Sequence, residues 1–260
     1  MILLIAIGAI LLALLVRSLA VNPNLAWSQF PGYFFHPTIL HGVLVTVELT
    51  VLGMTIGILG GGMLAAMRAS GDPLLSGGAA TYMWFFRGTP LLVQLIFWFN
   101  LASLFPRIGL KLPFLPGWYP VETSGLITAF VAGVLALGLN EAAYMAEIVR
   151  GASSTIPKSQ IEGAQALGMR SGLIYRRVRL PQMIRVGIPP TVNQAVGMLK
   201  MSALVSVVSV DDLLHSAQVI YSRTFETLLL LFVASLWYLI LVGSLTLLQK
   251  LAEKRASRWW

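Results

Sequence analysis

An all-α integral membrane protein is what this sequence predicts, on three observations. Its 260 residues are 57% hydrophobic and only 11% charged, with a mean hydropathy of +0.81, which leaves too little polar surface to cover a soluble core. Its apolar runs reach the roughly 20 residues that a helix needs to cross hydrocarbon. Nothing in it alternates with the period of two and the frequent turns of a membrane barrel.

Composition also removes whole classes of function. Cysteine is absent and only three histidines occur, so disulfides, thiolate nucleophiles and cysteine metal sites are excluded and no metal centre is expected. The net charge of +8 invites nucleic acid, but the basic residues border apolar spans, where a topology signal explains them. The expected environment is a lipid membrane, with no nucleic-acid partner. Glu48, Glu141 and Glu147 form no acid-base pair and no nucleophile has a histidine at useful spacing, so no catalytic residue is expected.

Six spans are expected, over residues 2–20, 38–67, 89–105, 124–144, 186–208 and 227–248. Positive charge falls on alternate loops: Arg68 and Arg87, then the stretch from Arg150 to Arg185, then the tail with Lys250, Lys254, Arg255 and Arg258. Those loops belong in the cytoplasm, with both termini inside. The opening span ends in "SLA" at 18–20, which resembles a signal-peptidase site, but no Lys or Arg precedes the apolar run, and a retained anchor helix is the reading. Residues 1–37 are then an anchor helix with an external linker, and 38–260 the transmembrane body with a polar loop over 150–183.

Within the second span Gly53, Gly57 and Gly61 lie four apart on one face, which lets a neighbouring helix approach closely. Trp84, Trp98, Trp118, Trp237, Trp259 and Trp260 lie largely near span ends and read as interfacial anchors. Glu48 sits deep in the same span, where a bare charge costs at least about 2.5 kcal/mol, so it must face protein or water. Two readings are open: a neutral Glu that ties helices together, or a polar lining of a substrate path. Gln94, Asn140, Glu141, Asn193, Gln194 and Lys200 carry the same ambiguity.

The polar loop contains "IEGAQALGMRSGLIYRRVRLPQ", 161–182. Pro157 suits the first turn of a helix, Lys158 to Leu167 continues it with Ile161, Ala164 and Leu167 on one side, and Gly168 can take the left-handed conformation that closes it. Ser171 or Gly172 opens a second short helix, which Pro181 stops. Gly163 and Ala164 leave one face nearly bare for a partner surface, and Glu162 near the helix start is available for a salt bridge. So short a helix is marginal alone and needs something to hold it.

Glu162-Gly163-Ala164, three residues, Gly168, nine residues, then Val178-Arg179-Leu180-Pro181 resembles the E-A-A-x3-G-x9-I-x-L-P loop of ATP-binding-cassette importer permeases. Gly163 for Ala and Val178 for Ile are the departures. "FFRGTPLLVQLIFWF", "NEAAYMAEIVRG", "RRVRLPQMIRVGIPPTVNQ" and "SALVSVV" look like the polar amino-acid branch of that family. The resemblance covers residue 38 to the end and implies a five-helix type I permease core, the helix over 2–20 being an extra.

It further implies two permease subunits, identical or homologous, around a central pathway, each laying its loop in a groove of an ATPase dimer, with an external amino-acid-binding protein delivering cargo across a bacterial inner membrane. Glu162, Gly163, Ala164, Gly168, Leu180 and Pro181 are then the ATPase-coupling residues. Glu48, Gln94, Asn140, Asn193, Gln194 and Met201 are the candidates for the substrate path. No G-x-x-x-x-G-K-[ST] phosphate loop occurs in the chain, so ATP and magnesium belong to the partner and no cofactor to this subunit. Met201 stands where the family often has an acidic residue, which argues against a purely cationic amino acid. The rival expectation is an ion-gradient-driven secondary transporter or channel, which inverted repeats would favour.

Overall fold

The structure, a computed structural model, describes residues 25–110 and 119–256 and, before them, residues 7, 8, 10, 11, 13, 14, 17, 18 and 20–22. The helix expected over 2–20 falls largely outside the described residues, and Trp118, Trp259 and Trp260 fall wholly outside them.

Aromatic packing holds the start of the described body. A 3-10 turn (Trp27–Gln29) and α1 (Phe30–Phe34) lie along the last long helix, where Phe34 stacks on Trp237 at 4.8 Å and the Trp237 indole donates to the Phe34 carbonyl at 3.0 Å. Trp237 is thus a packing residue, as is Trp98 against the main core, while Trp84 is 75% exposed. α2 (Pro37–Arg68) begins where Pro37 occupies the first turn and His36 Nδ1 accepts from the Thr38 N–H. α3 (Pro73–Gly88) begins at an Asp72 cap whose Oδ1 accepts from the Leu74 N–H at 2.7 Å.

α4 (Leu91–Phe99) and α5 (Leu101–Leu104) follow after a break. The single crossing expected over 89–105 is instead two short helices, α4 and α5, which Pro90 separates from α3 before them. Pro90 offers no N–H and holds Thr89 extended, with ψ 142°. Next comes a hairpin that the sequence reading lacked, β1 (Arg107–Leu110) antiparallel to β2 (Tyr119–Glu122), pairing Arg107 with Glu122. Ile108 and Val121, opposite each other, are both exposed, and no described side chain of the ribbon is buried, so there is no buried/exposed alternation among them to reveal it.

α6 (Thr123–Leu126) leads to α7 (Ala129–Ser154), which starts at a Thr128 cap and runs past the expected end at 144, through Arg150. α8 (Lys158–Ala166) is separate from it. α9 (Ser171–Ile174), a π turn (Tyr175–Arg179), α10 (Leu180–Met201) and a 3-10 segment (Ser202–Val208) form one continuous rod. Pro181 does not stop the helix: the Leu180 N–H reaches back to the Tyr175 carbonyl, and this one-residue widening accommodates the proline ring. The polar loop expected over 150–183 thus shrinks, because its ends belong to α7 and to the rod. α11 (Leu213–Thr224) and α12 (Thr227–Ala256) complete the chain.

Among the described residues four helices are long and apolar enough to cross a membrane, Pro37–Arg68, Ala129–Ser154, Ser171–Val208 and Thr227–Lys250. α7 is their axis, with α2, α3, α4 and α10 packed around it. The closest approach is to α2, along the glycine stripe. A Cβ on Gly57 would lie 2.5 Å from Glu141 Cγ, and one on Gly61 2.8 Å from the Ala146 backbone N. Bare backbone is what lets these helices touch. At the hairpin end, Thr46 Oγ1 accepts from the Leu213 N–H at 3.1 Å, and fully buried Asp212 caps α11 through His215 and Leu214 while accepting from the Tyr238 hydroxyl at 3.3 Å.

Two consequences are measurable by thermal unfolding in detergent. Gly61→Ala should cost about 1–3 kcal/mol by overpacking against backbone that cannot yield, while Gly62→Ala, whose Cβ meets nothing within 4 Å, should be nearly neutral. Burial pushes the Asp212 carboxyl up from 3.8 to about 6, against the opposing backbone N–H bonds of His215 and Leu214 and the Tyr238 hydroxyl. A carboxyl raised on folding favours the folded state below its unfolded value and loses that contribution as pH rises through the folded one. Wild type should therefore lose more stability than Asp212→Asn between about pH 4 and 6.5, by on the order of 2–3 kcal/mol. Parallel pH curves for the two proteins would contradict the assignment.

Candidate functional site

The knob between α7 and the rod is built from short-range bonds. Pro157 is its N-cap, with ψ 133°, one residue ahead of the expected first turn. At the other end Gly168 adopts φ 74°, as its position implied. Its N–H donates to the Gln165 carbonyl at 2.9 Å and the Met169 N–H to the Ala164 carbonyl at 3.1 Å, so these two carbonyls of the last turn are paired. Gln182 on α10 donates to Gln160 Oε1 at 2.9 Å and ties the knob to the rod.

The helix divides into two faces. Ala164 is buried against its own subunit, which corrects the expectation that it belongs to the bare partner-facing side. Glu162, Gly163, Ala166 and Gly168 are exposed, and Leu167, expected beside Ala164, is 84% exposed. A Cβ on Gly163 would meet nothing within 4 Å. Leu180 and Pro181 are half-buried at the start of α10. The knob therefore stands off the bundle with an open polar face and one projecting leucine.

Deeper, the break at Pro90 creates a demand that two of the candidate path residues meet. The Phe86 carbonyl would pair with the N–H at position 90, which proline lacks. Asn140 Nδ2 donates to that carbonyl at 2.7 Å and Gln94 Nε2 at 3.0 Å, while Gln94 also reaches Thr89 Oγ1 at 2.7 Å and Asn140 reaches Gln94 Oε1 at 3.3 Å. Both side chains are buried. In this conformation they clamp the α3–α4 break to α7.

The other candidates are scattered. Gln194 on α10 donates to both oxygens of buried Glu141 on α7, at 3.1 and 3.4 Å, and Met201 packs against the main core with Leu49, Leu95 and Val205. Asn193 is exposed on α10. Glu48 is exposed on the outer face of α2 and has no hydrogen-bond or ion-pair partner among the described residues. The structure therefore brings Gln94 and Asn140 together, sets Gln194 on Glu141, and leaves Glu48 and Asn193 apart.

A groove that the sequence reading did not single out lies where α2 ends and α3 crosses α7. It encloses about 720 Å³, lined by Arg68, Trp84, Arg87, Tyr144, Glu147 and Arg150 among others. Glu147 pairs with both Arg87, at 3.6 Å, and Arg150, and the Arg87 guanidinium stands 5.6 Å above the Tyr144 ring. The signal available in the sequence is Glu147 three residues before Arg150 on one helix face, whereas the placement of Arg87 beside Glu147 depends on how α3 crosses α7.

Helical crossings around a central α7, with a capped and exposed knob at one end, define a multi-pass membrane permease. The chain belongs to the family described as binding-protein-dependent transport system inner membrane component, whose pattern it matches over residues 57–258. It is accordingly a transport component rather than an enzyme. It is similar to an arginine transport system permease protein, ArgU, of Corynebacterium glutamicum, at 40% identity over 97% of this chain and 79% of that protein. It is also similar to a putative glutamine transport system permease protein, GlnP, of Rickettsia typhi, at 32% identity over 85% and 95%. Among solved structures, an amino acid ABC transporter crystallised with histidines superposes with a TM-score of 0.73 at 33% identity, covering 85% of this chain and 95% of that one. An inward-facing MetNI methionine ABC transporter shares the fold, with a TM-score of 0.65 at 18% identity over 84% and 96%.

The clamp at Pro90 predicts a rescue. Asn140→Leu should cost about 1–3 kcal/mol by leaving a buried carbonyl short of a donor, and adding Pro90→Ala, which restores a local N–H, should recover part of it. Strictly additive losses in thermal unfolding would show that Asn140 does not serve that carbonyl.

Proposed function

We propose that the chain is the permease subunit of an ATP-driven, binding-protein-dependent importer of amino acids or closely related compounds, seated in a bacterial inner membrane with both termini cytoplasmic. The observation that carries this reading is the knob: a helix closed at Gly168, anchored inward by Ala164 and the Gln160–Gln182 bond, with Glu162, Gly163 and Leu167 presented outward. Such a surface fits a groove of a separate ATPase dimer, which would supply ATP and magnesium. Leu180 and Pro181 begin the stretch of rod that carries a displacement of the knob into the bundle. A ligand shifts a conformational equilibrium only through its different affinity for the two states, so the ATPase must grip the knob differently before and after hydrolysis.

A second permease, identical or homologous, completes the pathway in this reading, and an external binding protein delivers cargo. Exposed Glu48 and Asn193 suit a surface that the second permease covers or that lines the pathway, since a charge at membrane depth turns toward protein or water. Met201 is half-buried against the main core, so its neutral side chain bears on cargo only through the part that stays open. The arginine-permease relative supports keeping basic amino acids among the candidates beside that argument.

Gly168→Pro, which forbids the positive φ, and Glu162→Arg should each leave the membrane body folded yet abolish co-purification with the ATPase and reduce ATP-driven uptake to background. Normal coupled uptake in either variant would sink the docking role. Uptake in vesicles that follows a proton or sodium gradient without ATP would support a secondary transporter instead.

A further inference from the structure

We propose that the second permease is another copy of this chain, docked so that α2 of each copy meets the helical rod of the other and Glu48 pairs with the partner's Lys200 at membrane depth, twice over. This assembly rests on the importer reading above and specifies its second permease. Two seams carry it. Within residues 187–208 the exposed residues of the rod are Asn193, Lys200 and Val207, seven apart. On α2, His41, Glu48, Thr55 and Gly62 are exposed, again seven apart. A spacing of seven keeps residues on one edge of a helix, the register in which two helices meet along a line. Both edges belong to helices long and apolar enough to cross a membrane, Pro37–Arg68 and Ser171–Val208. Neither Glu48 nor Lys200 has a hydrogen-bond or ion-pair partner among the described residues. A bare charge facing hydrocarbon is costly, so each must be met by another chain or by water.

Height decides for another copy. α2 and the rod flank the same point of α7, Gly57 by close approach to Glu141 and Gln194 by its amide bonds to that carboxylate, so their outer edges open on neighbouring sides of the bundle. The two run antiparallel: Thr46 meets Leu213 towards one end of α2, and Ile58 and Gly62 share a groove with Leu180 and Val192 towards the other. Counting from the level of Glu141 at 1.5 Å per residue, Glu48 lies about 13.5 Å and Lys200 about 9 Å towards the hairpin end, a difference of about 4.5 Å. Gly53, whose Cβ would lie 2.7 Å from Met198 Sδ, sets a second level and leads to the same difference. That gap is within the combined reach of a lysine and a glutamate. A twofold axis along the membrane normal preserves depth, so opposite charges at matched height on one subunit are what a self-complementary contact needs. In the single chain they stand on separate helices and do not pair. Between two identical copies each finds its opposite, and Thr55 and Gly62 are small enough for the partner helix to come close.

The chain has no cysteine, so Glu48→Cys and Lys200→Cys can be placed on differently tagged full-length copies, co-expressed and treated in membrane vesicles with a short bis-methanethiosulfonate reagent. A cross-link joining the two tags is expected, in higher yield than either variant gives with itself. Both positions are exposed, so the variants should fold. In phosphatidylcholine vesicles, Förster transfer between labelled copies should show Glu48→Lys and Lys200→Glu each weakening dimerisation by about tenfold or more, with the double variant restoring it. Cross-links only between like positions, no cross-link at all, a double variant no better than the singles, or a transporter that purifies with a second, different permease would each overturn the pairing. If ATP-driven amino-acid uptake persists in any of those cases, the importer reading stands without it. If the purified transporter shows no such uptake, both fall.

Discussion

Hydrocarbon offers no hydrogen bonds, so every backbone group inside the membrane must be paired by the protein itself, and this constraint organises the rest of the structure. Pro90 removes one donor, and the answer is a cluster of Gln94, Asn140 and Thr89 around the Phe86 carbonyl. Pro181 threatens the helix that contains it, and the answer is a π turn. One of these two interruptions recruits polar side chains and the other a local change of winding. Gln94 and Asn140, which look like path lining in the sequence, are consumed in this way.

Close packing is the second organising fact. α7 is surrounded because its neighbours are bare where they meet it: Gly57 and Gly61 on α2 admit Glu141, Met145 and Ala146 to backbone distance. The cost is that little of α7 remains open. Tyr144 and Arg150 are exposed and Glu147 partly so, and they face the groove with α3.

The knob joins these interior arrangements to the outside. α8 is too short to be stable alone, yet Gly168 completes its last turn and Gln182 ties it to the helical rod that begins at Ser171 and runs to Val208. The π turn keeps that rod continuous, so the knob is tied to an unbroken helix rather than to a loop. A stop at Pro181 would have separated the two.

Local signals were readable in advance. The positive φ at Gly168, the start near Ser171 and the glycine stripe on α2 follow from backbone sterics and residue spacing, which act within a few residues and leave a one-dimensional trace. The hairpin left none, since Ile108 and Val121 face each other exposed and no described side chain in it is buried. The inward turn of Ala164 was not legible either: the spacing of Ile161, Ala164 and Leu167 defines a helix side but not which side meets the protein.

By itself the sequence determined that the chain is a membrane-spanning helical bundle with an interrupted, polar, glycine-closed segment, because hydropathy, charge placement and glycine or proline positions act locally. Only tertiary structure decided which polar groups are spent. Gln94 and Asn140 serve a carbonyl many residues distant, Gln194 serves Glu141, and Arg87 meets Glu147 across two helices. Hydrogen-bond capacity belongs to a residue, but its partner is set by which helices lie side by side, and that follows from the packing of the whole bundle.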